Sequence, residues 1–207
     1  MRDPLFRMAL VLGLLAAVGP FAVDMYLPAL PQVARDLNTS ETAAAMTLTA
    51  YFITFGIAQM VYGPMADALG RKLPIVIGTA IFLAATLAAI LAPSIGWLIA
   101  ARALQGLGSA TLMVVPRAVI RDLATGPAAA RMMAAIMIVI SVSPMLAPLT
   151  GSLVMAWGGW REIFAVLAAA AAFSLCLTLF VLPETLPVEH RRPVQLRPIL
   201  SGAGRLL

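Results

Sequence analysis

Asp24 is the only carboxylate inside a long apolar run of this chain, and Arg102 is the only basic residue well inside one. An ionised group held in hydrocarbon is costly, so each is a functional candidate by default. Asp24 stands about four residues from the end of the first run and Arg102 about six from the start of the fourth. Similar depth makes them neighbours across a cavity or two ends of one polar network. Burial favours a neutral carboxyl and a nearby guanidinium favours a charged one, and a carboxyl poised between the two can exchange a proton. Gln105, Gly106 and Ser109 follow Arg102 at i+3, i+4 and i+7, which places a polar stripe on one helical face. Such a stripe faces protein or water. The bland alternatives are an interfacial acid at Asp24, with Pro28 and Pro31 ending the helix in water, and an Arg102 that snorkels to the surface. Pro20, which breaks the same helix as Asp24, favours function, because broken helices mark transport sites.

A second stripe, Tyr51, Phe55, Gln59 and Tyr62, has helical spacing. Aromatic faces with one amide suit an amphipathic ligand, although packing and an interfacial tyrosine belt explain them too. The candidate cavity lining is Tyr26, Tyr51, Phe55, Gln59, Gln105, Ser109 and Met113. The 12 methionines could add an adaptable surface or serve as core filler. Gly63 to Lys72 reads GPMADALGRK, in which Gly63 and Gly70 permit a tight reversal. Asp67, Arg71 and Lys72 can latch two helix ends there, or form an ordinary polar turn. Pro144 and Pro148, with Gly151 close behind, predict a kinked span packed in protein. Asn38-Thr39-Ser40-Glu41 matches a glycosylation sequon, but polar residues before an apolar run read better as a helix cap.

The elements that position these residues follow from composition. The chain has 207 residues, 62% apolar and only 11% charged. A soluble fold of that size could not hide so much apolar surface. Apolar runs at roughly 6–28, 44–65, 74–92, 97–118, 132–155 and 163–182 predict six transmembrane helices in an all-α bundle. The first resembles a signal peptide but lacks a small-residue cleavage site, and it reads as a retained helix. Arg2, Arg7, Arg71, Lys72, Arg117, Arg121, Arg131, Arg191, Arg192, Arg197 and Arg205 fall on one side, and only Arg35 and Arg161 on the other. That asymmetry makes both termini cytoplasmic. Residues 1–186 are read as the bundle and 187–207 as a basic cytoplasmic linker. Two triples of spans permit a three-plus-three inverted repeat. The net charge of +5 serves orientation rather than nucleic-acid binding.

Other chemistries fit poorly. The single His190 lies in the tail, too far from any membrane nucleophile for an intramembrane hydrolase. One cysteine, Cys176, supports no thiol pair, and one intramembrane Asp is no metal cluster. No catalytic residue, metal site or cofactor is expected. A non-transporting assembly fragment is the remaining rival.

The ordered motifs resemble the drug/proton antiporters of the major facilitator superfamily. Gly63 to Lys72 is similar to the loop signature between its helices 2 and 3, departing at Met65 and Ala68. Leu98, Arg102, Gln105, Gly106 and Gly108 match its helix 4 signature. Ala147-Pro148 and Gly151-Ser152 stand where the antiporter signature of helix 5 has Gly-Pro and Gly-Gly. Gly19-Pro20 and Asp24 to Pro28 look closest to the bicyclomycin-resistance-like (Bcr/CflA) branch, and Trp160-Arg161, Phe164 and Pro183-Glu184-Thr185 suit the ends of helix 6. The resemblance implies a multi-pass protein of the cell inner membrane exporting a small amphipathic drug or metabolite by alternating access, driven by the proton gradient. Asp24 and Arg102 would couple proton to substrate; Gly63, Asp67, Gly70, Arg71 and Lys72 would form the cytoplasmic gate; Pro144, Pro148 and Gly151 would be the antiporter-like motif. The family has twelve helices, so six imply its N-terminal half and a second six-helix half as partner, the chain being a truncated or split product.

Overall fold

The computed structural model describes residues 4–191. They form seven α-helices: α1 (Pro4–Asp24), α2 (Leu30–Asp36), α3 (Glu41–Leu69), α4 (Lys72–Ile90), α5 (Ile95–Leu123), α6 (Gly126–Gly158) and α7 (Trp160–Phe180). With α1 and α2 counted as one interrupted span, six helical segments are long and apolar enough to cross a membrane. The predicted all-α architecture of six spans is the observed one. The helices overrun the apolar runs at several ends. Arg121 and Asp122 lie within α5, because a helix that satisfies its own backbone can carry polar side chains past the hydrocarbon edge.

Two sequence expectations change here. Pro28 and Pro31 do not end a helix in water. Each sits in the first turn of a new one, the 3-10 turn Leu27–Ala29 and α2, where proline loses no hydrogen bond and its fixed φ suits the start. The stretch between α1 and α3 is therefore largely helical. In addition, α6 runs unbroken through Pro144 and Pro148, and Pro144 is exposed rather than packed in protein. Only Ala147 and Gly151 are buried in that stretch, because α6 leans on α1 along a narrow seam. The cap reading of the Asn38 segment matches the structure: Ser40 Oγ accepts the Ala43 N–H at 3.1 Å at the start of α3.

The core lies around α5, which packs along both α3 and α4, while α1 packs on α6 and α4 on α7. Exchanging the first three spans for the last three turns the α3–α5 contact into the α6–α1 contact and returns α4–α7 to itself. Burial follows the same exchange. The apolar stretches of spans one and four are each 61% buried, those of spans two and five each 22%, and those of spans three and six 44% and 39%. The relation is partial: the same exchange turns the extensive α4–α5 contact into the much smaller α7–α1 contact. Small residues set the distances. A side chain at Gly108 would meet the Gly78 carbonyl and the backbone of Phe82, one at Gly106 would meet the Tyr51 carbonyl, and one at Gly151 would meet the backbone of Met25.

Candidate functional site

The chain breaks its helix at Asp24, the last residue of α1, and resumes after Met25 and Tyr26. Pro20 offers no N–H to the carbonyl of Ala16 one turn earlier, and the end of α1 at Asp24 leaves carbonyls of its last turn short of intrahelical donors. Arg102 reaches this break from α5. Its Nη1 donates to the Ala22 carbonyl at 3.0 Å and to Gln105 Oε1, and Gln105 Nε2 donates to Thr86 Oγ1 at 2.8 Å. Thr86 in turn donates to the Phe82 carbonyl at 2.6 Å. The guanidinium is wholly buried and lies 4.6 Å from the Tyr51 ring centroid, 4.8 Å from that of Tyr26 and 5.9 Å from that of Phe164. All three are within cation–π range.

Both tyrosines are held at their hydroxyl ends. Tyr51 Oη donates to Ser109 Oγ at 2.7 Å and lies 3.3 Å from the Gly19 carbonyl. Tyr26 Oη is 3.1 Å from Thr47 Oγ1. The structure therefore gathers Asp24, Tyr26, Tyr51, Arg102, Gln105 and Ser109 into one region. It does not pair Asp24 with Arg102: the described ion pairs join Arg71 to Asp67 and Asp122, and Arg191 to Glu184. Asp24 is partly buried within electrostatic reach of Tyr51. No described hydrogen bond joins Asp24 to the chain of contacts that runs from Arg102 through Gln105 to Thr86.

The residues expected to line one cavity divide. Tyr26, Tyr51, Gln105 and Ser109 are shut in the core around Arg102. Phe55, Gln59 and Met113 are partly buried, and Phe55 stacks on Tyr51 with centroids 5.9 Å apart. Tyr62 packs in a small separate cluster with Ala58 and Ala110.

A second cluster closes the opposite end of the bundle. Arg71 Nη1 meets Asp67 at 2.6 Å and Arg71 Nε meets Asp122 Oδ2 at 2.7 Å, tying the α3–α4 turn to α5. Burial opposes the Arg71 charge, yet Asp122 and Asp67 outweigh it and hold the guanidinium more firmly protonated than usual. Glu184, just past α7, accepts the N–H groups of Arg71 at 2.8 Å and Lys72 at 3.2 Å, which are the free donors at the start of α4. Gly70 makes room for it: the residue has φ of 93°, and a side chain there would strike the Glu184 carboxylate. Burial alone would raise the Glu184 pKa, but the N–H groups of Arg71, Leu186 and Lys72, together with Arg191, bring it below the ordinary 4.5. The Lys72 side chain does not join the carboxylates. Its Nζ donates to the Leu179 carbonyl at 2.8 Å, at the end of α7. A side chain at Gly63 would meet nothing within 4 Å, so no close helix approach requires glycine there.

Sequence reasoning missed Asp122, and took Glu184 only as a landmark. The available signal was a carboxylate at each of two helix ends on an otherwise basic side. Thr47 and Thr86 left no such signal, because a threonine in an apolar helix ordinarily satisfies itself on its own backbone. Of the basic residues used for orientation, Arg2, Arg192, Arg197 and Arg205 lie outside the described residues, as does most of the expected 187–207 linker.

The sequence matches the Major Facilitator Superfamily over residues 12–204. It is 37% identical over 202 residues to an MFS-type transporter, YdgK, of Bacillus subtilis, covering 97% of this chain and 50% of that protein. It is 39% identical over 189 residues to Multidrug resistance protein D of Escherichia coli, covering 90% and 47%. It is 32% identical over 194 residues to a bicyclomycin resistance protein homolog of Haemophilus influenzae, covering 94% and 49%. Among solved structures, the human organic anion transporter MFSD10 superposes with a TM-score of 0.76 at 20% identity, over 95% of this chain and 52% of that one. A peptide transporter bound to sulfate gives 0.77 at 15%, over 97% and 43%. The chain spans about half the length of the relatives it matches.

Proposed function

We propose that this chain, which belongs to the Major Facilitator Superfamily, acts as the N-terminal half of a proton-coupled exporter of small amphipathic molecules. The family is one of transporters, not enzymes, and several relatives are multidrug resistance proteins. The observation that carries the reading is that an unlatched carboxyl, Asp24, and a buried Arg102 that donates to the Ala22 carbonyl both stand at the break of the first span without forming an ion pair. Asp24 takes the proton on one side of the membrane and yields it on the other. Substrate binding competes with that protonation, so the proton gradient drives release outside. Arg102 stabilises the deprotonated state in passing. Asp67, Arg71, Asp122 and Glu184 hold the cytoplasmic ends of four helices together and are released when that side opens.

A second six-helix half supplies the opposite cavity wall. The equal and low burial of α3 and α6 supports this, because each of those two spans leaves most of its apolar stretch uncovered in the bundle. The basic residues Arg7, Arg71, Lys72, Arg117, Arg121 and Arg131 at that end of the bundle support a cytoplasmic position for it, in a protein of the inner membrane. Replacing Asp24 with Asn is expected to abolish proton-coupled efflux while leaving membrane insertion intact. Substrate-driven proton flux in proteoliposomes reads this out, and coupled flux retained by Asp24→Asn defeats the proposal.

A further inference from the structure

A buried charge ordinarily sits beside a carboxylate or has every donor satisfied, and Arg102 does neither. Its Nε and Nη2 have no hydrogen-bond partner, and no ion pair reaches it among the described residues. Only Nη1 is engaged, by the Ala22 carbonyl and Gln105. What surrounds the guanidinium instead is aromatic: Tyr51 from α3, Tyr26 from the α1–α2 break and Phe164 from α7. The ring faces carry negative quadrupole, and their attraction for a cation grows when water is excluded. Neither tyrosine ring is loose, since Ser109 and Thr47 fix the two hydroxyls from other helices.

We propose that Tyr26 and Tyr51 are the positioning residues of Arg102, their ring faces standing in for a fixed counter-charge. The guanidinium is thereby kept charged, aimed at the helix break and uncommitted, with Nε and Nη2 open to a carboxylate that comes and goes. A permanent carboxylate at this place would cancel the charge and leave nothing to respond to Asp24. The inference rests on the transport reading above for its purpose, though not for its geometry. The ionisable groups around Arg102 are the two tyrosines and, within reach of Tyr51, Asp24. The α7 side contributes the Phe164 ring, and the α4 side contributes the Thr86 hydroxyl through Gln105.

Nitrogen-15 arginine labelling of the whole chain in lipid nanodiscs tests this without any transport assay. The Arg102 Nε–H resonance, identified by its loss in Arg102→Lys, is expected upfield of free arginine through ring currents. Tyr51→Leu or Tyr26→Leu returns it towards the free position, while Tyr51→Phe and Tyr26→Phe leave it in place. Asp24→Asn leaves the native resonance unmoved but shifts it in the leucine variants, where the guanidinium falls onto the acid. Cross-relaxation between the Arg102 Nε–H and tyrosine ring protons in the unsubstituted protein gives the same answer independently of how the leucine variants fold. A resonance indifferent to ring removal, or one that moves with Asp24→Asn in the native background, overturns the proposal. An inactive protein that keeps the shifted resonance counts against the transport reading alone. Coupled efflux from a protein that lacks it counts against the tyrosine clamp alone.

Discussion

At the scale of single residues, side chains of one type do opposite work according to what stands behind them. Gly108 and Gly56 are both glycines in the middle of apolar helices. Behind Gly108 stands the backbone of α4 at Gly78 and Phe82, whereas Gly56 faces open space. Gly108→Ala is therefore expected to force α4 and α5 apart and destabilise the bundle by roughly 1–3 kcal/mol, the usual cost of overpacking. Gly56→Ala should be neutral or stabilising by up to about 1 kcal/mol, since alanine holds a helix better than glycine. Unfolding midpoints of the two purified variants in one detergent make the comparison, and equal destabilisation would contradict the packing described. Arg102 follows the same logic. Its spacing to Gln105 and Ser109 was plain in the sequence, and the rings that enclose it were not.

At the scale of elements, the joints between helices matter more than the helices. The start of α4 has no side-chain cap of its own, and Glu184 supplies one from beyond α7. Because the Glu184 pKa is depressed in the folded protein, its contribution is fully present above about pH 4.5 and is lost as pH falls through the lower folded value. Stability of the α3–α4 turn should decline over that acidic window. Glu184→Gln should remove the neutral-pH contribution and flatten the decline. Thermal midpoints between pH 3 and pH 7, roughly the span over which a carboxylate titrates, test it, and an unchanged profile in Glu184→Gln counts against the cap. At the other end, Trp160 Nε1 donates to Asp36 at 3.0 Å, pinning α2 to the start of α7. Arg161 donates to the carbonyls of Ile90 and Ala92 at 3.1 and 3.0 Å, closing the end of α4.

At the scale of the whole molecule, the three-plus-three relation leaves α3 and α6 with their apolar sides uncovered. Phe52, Ile53, Ile57 and Met60 on α3 and Ile138, Met145, Leu149 and Leu153 on α6 are all exposed large apolar side chains. Reconstitution together with a second six-helix half is expected to protect these positions from lipid-soluble carbene labels and to raise substrate-driven flux at least tenfold over the chain alone, about 1.4 kcal/mol or more in the rate-limiting step. Equal labelling with and without that half argues against the assigned face. Orientation is tested separately: in a Cys176→Ser background, Asn38→Cys should react with a membrane-impermeant maleimide added to intact cells. Labelling only after lysis would reverse the topology drawn from the basic residues.

The sequence by itself determined the six apolar spans, which helical face of α5 is polar and that the first span is interrupted near Pro20 and Asp24. Those are properties of hydropathy, periodicity and proline chemistry, all local along the chain. The Gly63 to Lys72 turn was recognisable for the same reason. Tertiary structure alone decided what the prolines and polar turns meet: Pro28 and Pro31 start helices, Pro144 sits exposed, and Asp122 and Glu184 complete a latch that Lys72 joins through its backbone N–H and not its side chain. It also decided that Arg102 lies among rings from three separate elements rather than against Asp24. Such partners are distant in sequence and are brought together only by packing, in which glycines at the contacts set how closely two helices approach.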